Sequence, residues 1–422
     1  MRPAFLLAWC WNGASFESQG ELMTSTAKTR SASLDLDWYD LSTEFRIRPD
    51  SIYLNHGSFG IPLNRVRYAR RRFIDQLDEN PMDFYLRQIE GLSASACQAL
   101  AAFVHTEPAN LVFADNATFA MNVVAANFPL VAGDEVLLSD HEYGPVYRIW
   151  ESRCQRIGAR VVVVPLPQRV ETIDQVVSAL LVGVTEKTRL LVVSHITSPT
   201  ALLMPIKEIC AAFTRVGVAT CIDGPHAPAQ IALDIDQLHC DFYTASCHKW
   251  LCATLGSGFL YAHPRWHDRI EPIITSWGRL PPAVPQSWHE KFLWQGTRDP
   301  SSFLAIPVAI EFLNQLGPEK FRLRSQWLAR YAEAALCELF KTEPIGKREH
   351  GWYGSMAHVP LPPGDWSGLQ RELWDQIGIE VMINRFSERW FIRVSCHLYN
   401  HQTQIDTLIK ALFRLCRRAA VH

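Results

Sequence analysis

The chain reads as an α/β protein: a large unit on a mainly parallel seven-stranded sheet, then a smaller C-terminal α+β unit. Three observations predict this. Short apolar runs rich in Val, Ile and Leu recur between residues 111 and 262 and hardly alternate in polarity. Strands covered on both faces read this way. Helical stretches separate the runs, and strands alternating with helices are the pattern of an α/β architecture. Beyond a Pro-rich break at Leu280–Pro285 the alternation gives way to helices and scattered strands.

The runs predict strands at Leu111–Phe113, Val136–Leu138, Arg160–Val164, Leu190–His195, Val218–Ile222, Phe242–Ala245 and Gly258–Tyr261. Between them, Ala117–Phe128, Val146–Ile157, Ile173–Val182 and Ile206–Arg215 carry helical patterns. After the break, Pro300–Leu316, Lys320–Lys341 and Thr403–Arg417 read as helices, and Trp352–His358 and Trp390–Ser395 as strands. Residues 36–290 are therefore assigned to the large unit, with the N-terminal segment, and 291–422 to the small one.

Residues 1–35 are set aside as a leader without fixed structure. Met1–Trp11 has a short apolar patch and one Arg, but no clear small-x-small cleavage site of a signal peptide follows. Residues 12–35 are rich in Ser, Thr, Gly and Ala. No repeat of solenoid length is present.

Composition narrows the function classes. The 422 residues are 48% hydrophobic and 20% charged, with 41 basic against 43 acidic side chains. No basic block points to nucleic acid and no acidic tail to a solvating arm. No apolar run approaches the roughly 18 residues of a membrane span. The eleven cysteines are scattered through core-like segments. They read as buried thiols of a reducing, cytoplasmic compartment rather than a disulfide framework.

The chemistry concentrates at strand ends. Lys249 stands in Ser246-Cys247-His248-Lys249-Trp250, directly after an apolar run. A desolvated lysine has its charged form disfavoured and is left nucleophilic. A lone buried lysine also pairs structurally with carboxylates. Asp223 ends the run Ala219–Ile222, before Gly224-Pro225-His226. Ligands of open α/β sheets bind beyond the carboxyl ends of strands. There an aspartate can hold a pyridine nitrogen protonated, or simply form a turn. A lysine to condense with an aldehyde and a carboxylate to keep the ring electron-poor are what pyridoxal phosphate requires. Ser246 and His248 add a hydroxyl and an imidazole where a phosphate would lie, and His226 stands within reach of a ring oxygen.

Other residues carry two readings each. Asp115-Asn116-Ala117-Thr118 opens a helix, whose free N–H groups suit a phosphate, with the Thr118 hydroxyl in addition; Asn116 is also a simple N-cap. Tyr143, in Asp140-His141-Glu142-Tyr143-Gly144, stacks on a flat cofactor or on its own helix. Arg393 lies in the apolar strand Phe391–Ser395 and needs an anionic partner, either a substrate carboxylate or an internal acid. No metal is expected: His263 and His267 have helical spacing, but Pro264 intervenes and no third ligand is evident. Gly-x-Ser-x-Gly, Gly-x-Gly-x-x-Gly and P-loop motifs do not occur.

Taken in order, these pieces resemble the class V aminotransferase family of fold-type I pyridoxal-phosphate enzymes. The series runs Tyr53-Leu54-Asn55-His56-Gly57, Asn116-Ala117-Thr118, Gly133-Asp134-Glu135, Tyr143, Ser194-His195 before Pro205, Asp223-Gly224-Pro225-His226, Ser246–Lys249, Gly296-Thr297 and Arg393-Val394-Ser395. Within the family, Asn55–Gly60, Cys247–Leu251 and Gly296–Pro300 are most similar to isopenicillin N epimerase-like members.

The resemblance implies a role for each matching position. Lys249 would bear the cofactor, Asp223 would pair with the pyridinium, and His226 would approach the ring hydroxyl. The Ala117 backbone, Thr118, Ser246 and His248 would hold the phosphate, and Tyr143 would stack on the ring. Arg393 would bind the substrate α-carboxylate, with Asn55, His56 and Ser198 nearby. Thr297 would reach the cofactor phosphate of a neighbouring subunit, so a homodimer is implied. The reaction would lie at the α-carbon of an amino acid: epimerisation first, a cysteine desulfhydrase or other C–S lyase second, transamination or a non-catalytic relative after those. Cysteine desulfurases of the family carry a catalytic cysteine shortly before the carboxylate-binding arginine. Here that stretch, Ile383–Trp390, contains none. Two milder departures are Tyr143 where relatives have histidine and His226 where many have glutamine.

Overall fold

The structure, a computed structural model, describes residues 39–280 and 283–419. The leader expected over 1–35 lies outside the described residues. A short first strand, β1 (Ile52–Tyr53), precedes the main sheet. That sheet contains β2 (Leu111–Ala114), β3 (Glu135–Ser139), β4 (Arg160–Val164), β5 (Thr188–Ser194), β6 (Ala219–Asp223), β7 (Phe242–Ser246) and β8 (Gly258–Ala262). Each of the seven runs read as a strand between residues 111 and 262 forms one, to within a residue or two; the one read at Trp352–His358 starts only at Met356. Their order is β2-β8-β7-β6-β5-β3-β4.

The sheet is parallel except for β8, which runs against both β2 and β7. The cause lies in the Cys247–Ser257 connection. It contains no helix, so the chain cannot cross over and returns antiparallel. That connection carries Lys249.

Why the strands barely alternate is now plain. Leu191, Val193 and Ile222 face one buried cluster, while Leu190, Val192 and Cys221 face a second across the sheet. Helices cover both sides, among them Ala117–Asn127 and Gly144–Ile157 on one and Ile206–Arg215 on the other. Helices Asn64–Glu79 and Ile89–Val104 also form; no expectation covered them.

The C-terminal part holds β9 (Met356–Pro360), β10 (Ile379–Glu380), β11 (Met382–Phe386) and β12 (Arg389–Ser395). Strands β11, β12 and β9 make an antiparallel sheet, and β1 pairs with β10. Period two divides the faces of the sheet. Ile392, Val394, Ala357 and Val359 point into a third core, closed by helices Pro318–Phe340, Leu369–Ile377 and Gln402–Ala419. Arg393, Phe391 and His358 occupy the opposite face, and Arg393 there meets Ser198 from the large sheet's strand ends.

The packing bears on where the two units divide. Phe303, Leu304, Ile306 and Ile310 belong to the first core, and Leu54 to the third. We propose that the division falls within the helix Pro318–Phe340, and that β1 belongs with the small sheet.

Candidate active site

Three parallel strands deliver their carboxyl ends to one place. β5 ends at Ser194, β6 at Asp223 and β7 at Ser246, and Ser194 pairs in register with Asp223. The chain then turns tightly through Lys249. Cys252 N–H donates to the Lys249 carbonyl at 2.9 Å, with Cys252 in the left-handed region at φ 57°. The turn after β1 lies against this loop. A Cβ at Gly60 would stand 2.2 Å from the His248 carbonyl and 2.7 Å from that of Lys249, so only glycine fits.

Lys249 Nζ lies 3.2 Å from His226 Nε2. Desolvation, reinforced by Arg393 and opposed by Asp223, lowers the amine to about 7. Asp223 is buried, and burial raises its carboxyl to about 6 against the pull of Lys249 and of the Thr244 hydroxyl, which donates to Oδ1 at 3.1 Å. Thr244 faces Asp223 in the β6–β7 register. No sequence signal marks it; only the register does.

His226 is buried beneath the lysine. The Trp250 indole N–H donates to its Nδ1 at 3.2 Å, and Gln230 Nε2 donates to its carbonyl at 2.8 Å. His56 is also buried. Its Nε2 meets the Lys249 carbonyl at 3.0 Å and its Nδ1 the Tyr399 hydroxyl at 2.8 Å. Both nitrogens are therefore engaged by protein, and burial lowers the ring to about 3.

At the start of helix Ala117–Asn127, Asn116 caps the Phe119 N–H at 2.9 Å and Ser246 Oγ accepts from the Ala117 N–H at 3.0 Å. Among the described residues nothing accepts from the Thr118 N–H, and Thr118 is exposed. β8 lies directly under this turn: a Cβ at Gly258 would come 2.9 Å from the Asn116 Cα. His248 Nδ1 is buried without a partner. Tyr143 is 44% exposed at the head of the helix after β3. Thr297 is exposed and is not joined to the lysine within this chain; its neighbour Arg298 pairs with Asp115 at 3.2 Å.

Arg393 answers the question its sequence left open. It is 1% exposed, yet its partners are neutral oxygens: the Ser198 carbonyl at 2.6 Å, Ser58 Oγ at 2.9 Å and Asn55 Oδ1 at 3.5 Å. Its Nε has no partner, and burial lowers the guanidinium to about 10. No described acid pairs with it. A Cβ at Gly57 would crowd Ser395 Oγ at 2.9 Å and approach Arg393 Nη2 at 3.5 Å, so a larger residue in this turn would press on the arginine's surroundings.

Several residues here went unread in the sequence. Ser58 lay inside a quoted motif without a role. Glu142 accepts from Ser139 at 2.6 Å and from Ser194 at 2.5 Å, and burial raises it to about 8. Asn384 donates to the Pro199 carbonyl at 2.9 Å from the β11 edge. Spacing gave no hint of these, because chain-distant segments build them.

Two histidine groupings do not make metal sites. His263 caps its own short helix through Arg265 N–H, and His267 bonds to the Ala262 carbonyl at 2.9 Å. His56, Cys252 and His397 cluster in the core. However, the two imidazoles stack at 3.9 Å and 16°, so one ion cannot lie in both ring planes.

The donor set fits a flat phosphorylated cation. A helix N-terminus and the unpartnered His248 suit the phosphate, and Asp223 suits a ring N–H⁺. Lys249 offers a buried amine lowered to about 7, and Arg393 a buried guanidinium with neutral partners, which suits a carboxylate. Fold and site together define a pyridoxal-phosphate enzyme of fold type I. The chain belongs to the class-V aminotransferase family, whose model matches residues 87–408.

Curated relatives extend this. The isopenicillin N epimerase of Amycolatopsis lactamdurans is 36% identical over 394 residues, covering 90% of this chain and 99% of the relative. That of Streptomyces clavuligerus is 34% identical over 389 residues, covering 89% and 98%. A putative L-cysteine desulfhydrase of Oryza sativa subsp. japonica is 31% identical over 296 residues, 64% of this chain and 59% of the relative. Among solved structures, the cysteine desulfurase CsdA of Escherichia coli superposes with a TM-score of 0.76 at 20% identity, over 90% of this chain and 98% of its own. That likeness shows the fold.

Proposed function

We propose that this pyridoxal-phosphate enzyme is an epimerase acting at the α-carbon of an amino-acid substrate, similar to the isopenicillin N epimerases. The observation that carries the reading is 36% identity along 99% of such a relative. Bound cofactor supplies an electron-poor ring that accepts the electrons released at the α-carbon. Lys249 would bear the cofactor, and its free amine would be placed to take the α-proton. Its amine, lowered to about 7, is poised for both tasks. Asp223 keeps the pyridine nitrogen charged, with Thr244 fixing the carboxylate.

The free Thr118 N–H, the Thr118 hydroxyl, Ser246 and His248 hold the phosphate, while the Ala117 N–H expected there is taken up by Ser246 Oγ. Because Ser246 Oγ accepts from Ala117, its proton is left to donate outward. Tyr143 covers the ring and His226 meets its oxygen. Arg393 takes the α-carboxylate, with Asn55, Ser58 and Ser198 orienting the guanidinium. His56 braces the Lys249 carbonyl from beneath. Inversion requires a proton from the face opposite Lys249. Since both His56 nitrogens are engaged, Tyr143 is assigned that role.

We further propose a homodimer, in which Thr297 reaches the partner's phosphate; its exposure and its lack of contact with its own lysine support this. The ten described cysteines are all free, which supports a reducing compartment such as the cytoplasm. No described helix is long and apolar enough to cross a membrane.

A second reading is C–S elimination, supported by the desulfhydrase relative at 31% identity and needing no acid beyond Lys249. Incubation with a panel of L-amino acids in heavy water separates the two. Epimerisation gives α-deuterated D-enantiomer; pyruvate with sulfide would replace it by the lyase.

A further inference from the structure

Trp250 is fully buried, and its indole can only donate. It donates to His226 Nδ1 at 3.2 Å. A neutral imidazole has one N–H, and with Nδ1 accepting, that proton must sit on Nε2. Nε2 is the atom 3.2 Å from Lys249 Nζ. The relay then has one direction: indole N–H to Nδ1, and Nε2–H to the lysine. A donor aimed at Nζ is met by the lone pair of a neutral amine and not by an ammonium, which has no lone pair to offer.

We propose that Trp250 is a positioning residue that locks His226 as an Nε2–H donor, and that this donor holds the Lys249 amine neutral and ready to attack the cofactor aldehyde. The inference rests on Lys249 being the reactive amine. Burial works in the same direction, lowering His226 well below its ordinary range so that it does not become a cation beside the lysine. The other charged or titratable groups acting on this pair are Asp223, Arg393, His56 and His248. Of these, His56 also packs against the Trp250 ring, with centroids 5.4 Å apart, so the replacement keeps an aromatic ring there. Replacing the indole by a phenyl ring removes the one N–H that Nδ1 receives among the described residues. The imidazole can then move its proton to Nδ1 and accept at Nε2 from an ammonium, which restores the charged lysine.

The test uses the full-length protein freed of cofactor, with histidine ring nitrogens labelled. His226 is assigned by the loss of its signals in His226→Gln. The expected spectrum between about pH 6 and 9 shows a pyridine-type Nδ1 and a pyrrole-type Nε2. A protonated Nδ1 in that range overturns the proposal, whatever the variants do.

The second measurement is the pH dependence of pyridoxal phosphate uptake by the same protein, followed by the visible band. Trp250→Phe moves its midpoint upward by up to about one pH unit, the equivalent of one hydrogen bond. In a His226→Gln background the same change moves nothing. Equal shifts in both backgrounds would mean that Trp250 acts by packing alone, and would overturn the relay. Wild-type protein with the expected nitrogen pattern but no cofactor uptake would instead sink the functional reading and leave the tautomer standing.

Discussion

Arg393 Nη2 and Ser58 Oγ meet at 2.9 Å, where strand β12 crosses the turn that follows β1. The contact brings a buried guanidinium to a hydroxyl, not to an acid. A charge so placed is costly to the fold and is retained where a ligand completes it.

Arg393→Met therefore separates stability from binding. The melting temperature of cofactor-free protein should hold or rise, since an uncompensated buried charge is removed. KM for the amino acid should rise about 10- to 100-fold, the loss of a charged hydrogen bond, with the visible band unchanged. Thermal melts and steady-state kinetics read both. A collapse of melting temperature and cofactor band together would make the arginine structural.

Asp223→Asn should bind cofactor and lose turnover by about 10²- to 10³-fold, because a neutral amide cannot sustain a charged ring nitrogen. Its folded carboxyl is raised, from 3.8 to about 6. A raised acid binds more protons in the folded state, so stability falls as pH climbs between those values and the penalty is complete at pH 7. Cofactor-free Asn variant should thus melt no lower than wild type at pH 7. Unchanged turnover would remove the electron-sink role.

Cofactor uptake should follow the neutral fraction of Lys249. Its amine is lowered to about 7, so the rate should rise about tenfold per pH unit below that value and level above it. Stopped-flow mixing of cofactor-free protein with pyridoxal phosphate gives the profile. A midpoint near that of a free lysine would mean the pocket does not desolvate the amine.

Glu142, held by Ser139 and Ser194, should be a neutral acid at pH 7, since burial raises it from 4.5 to about 8. Protons are bound in the folded state and lost from the unfolded one across that window, so stability declines as pH rises through it. Glu142→Gln should abolish this part of the slope in melts from about pH 5 to 8. A variant with the wild-type slope would show that Glu142 is already ionised.

The large sheet was legible because its strands other than the edge strand β4 are largely buried on both faces and flanked by strong turns, so Val, Ile and Leu cluster without ambiguity. The edge pairing of β1 with β10 was not, as two residues on each side carry no periodicity. Strand β11 was hidden too: Met382–Phe386 reads apolar, apolar, polar, polar, apolar, which follows no strand period. In the site, Lys249 and Asp223 were readable because each ends an apolar run. Thr244, Glu142 and Ser58 were not, since register and long-range packing assign their partners. The tie between His56 and the Lys249 carbonyl joins residues far apart in the chain, which no local pattern announces.

The most direct measurement is borohydride trapping of the cofactor-loaded protein, followed by mass spectrometry of its peptides. A phosphopyridoxyl group on the peptide that contains Lys249, absent from Lys249→Ala, is the predicted result. A label on another lysine, or none on protein that shows the visible band, would contradict the account.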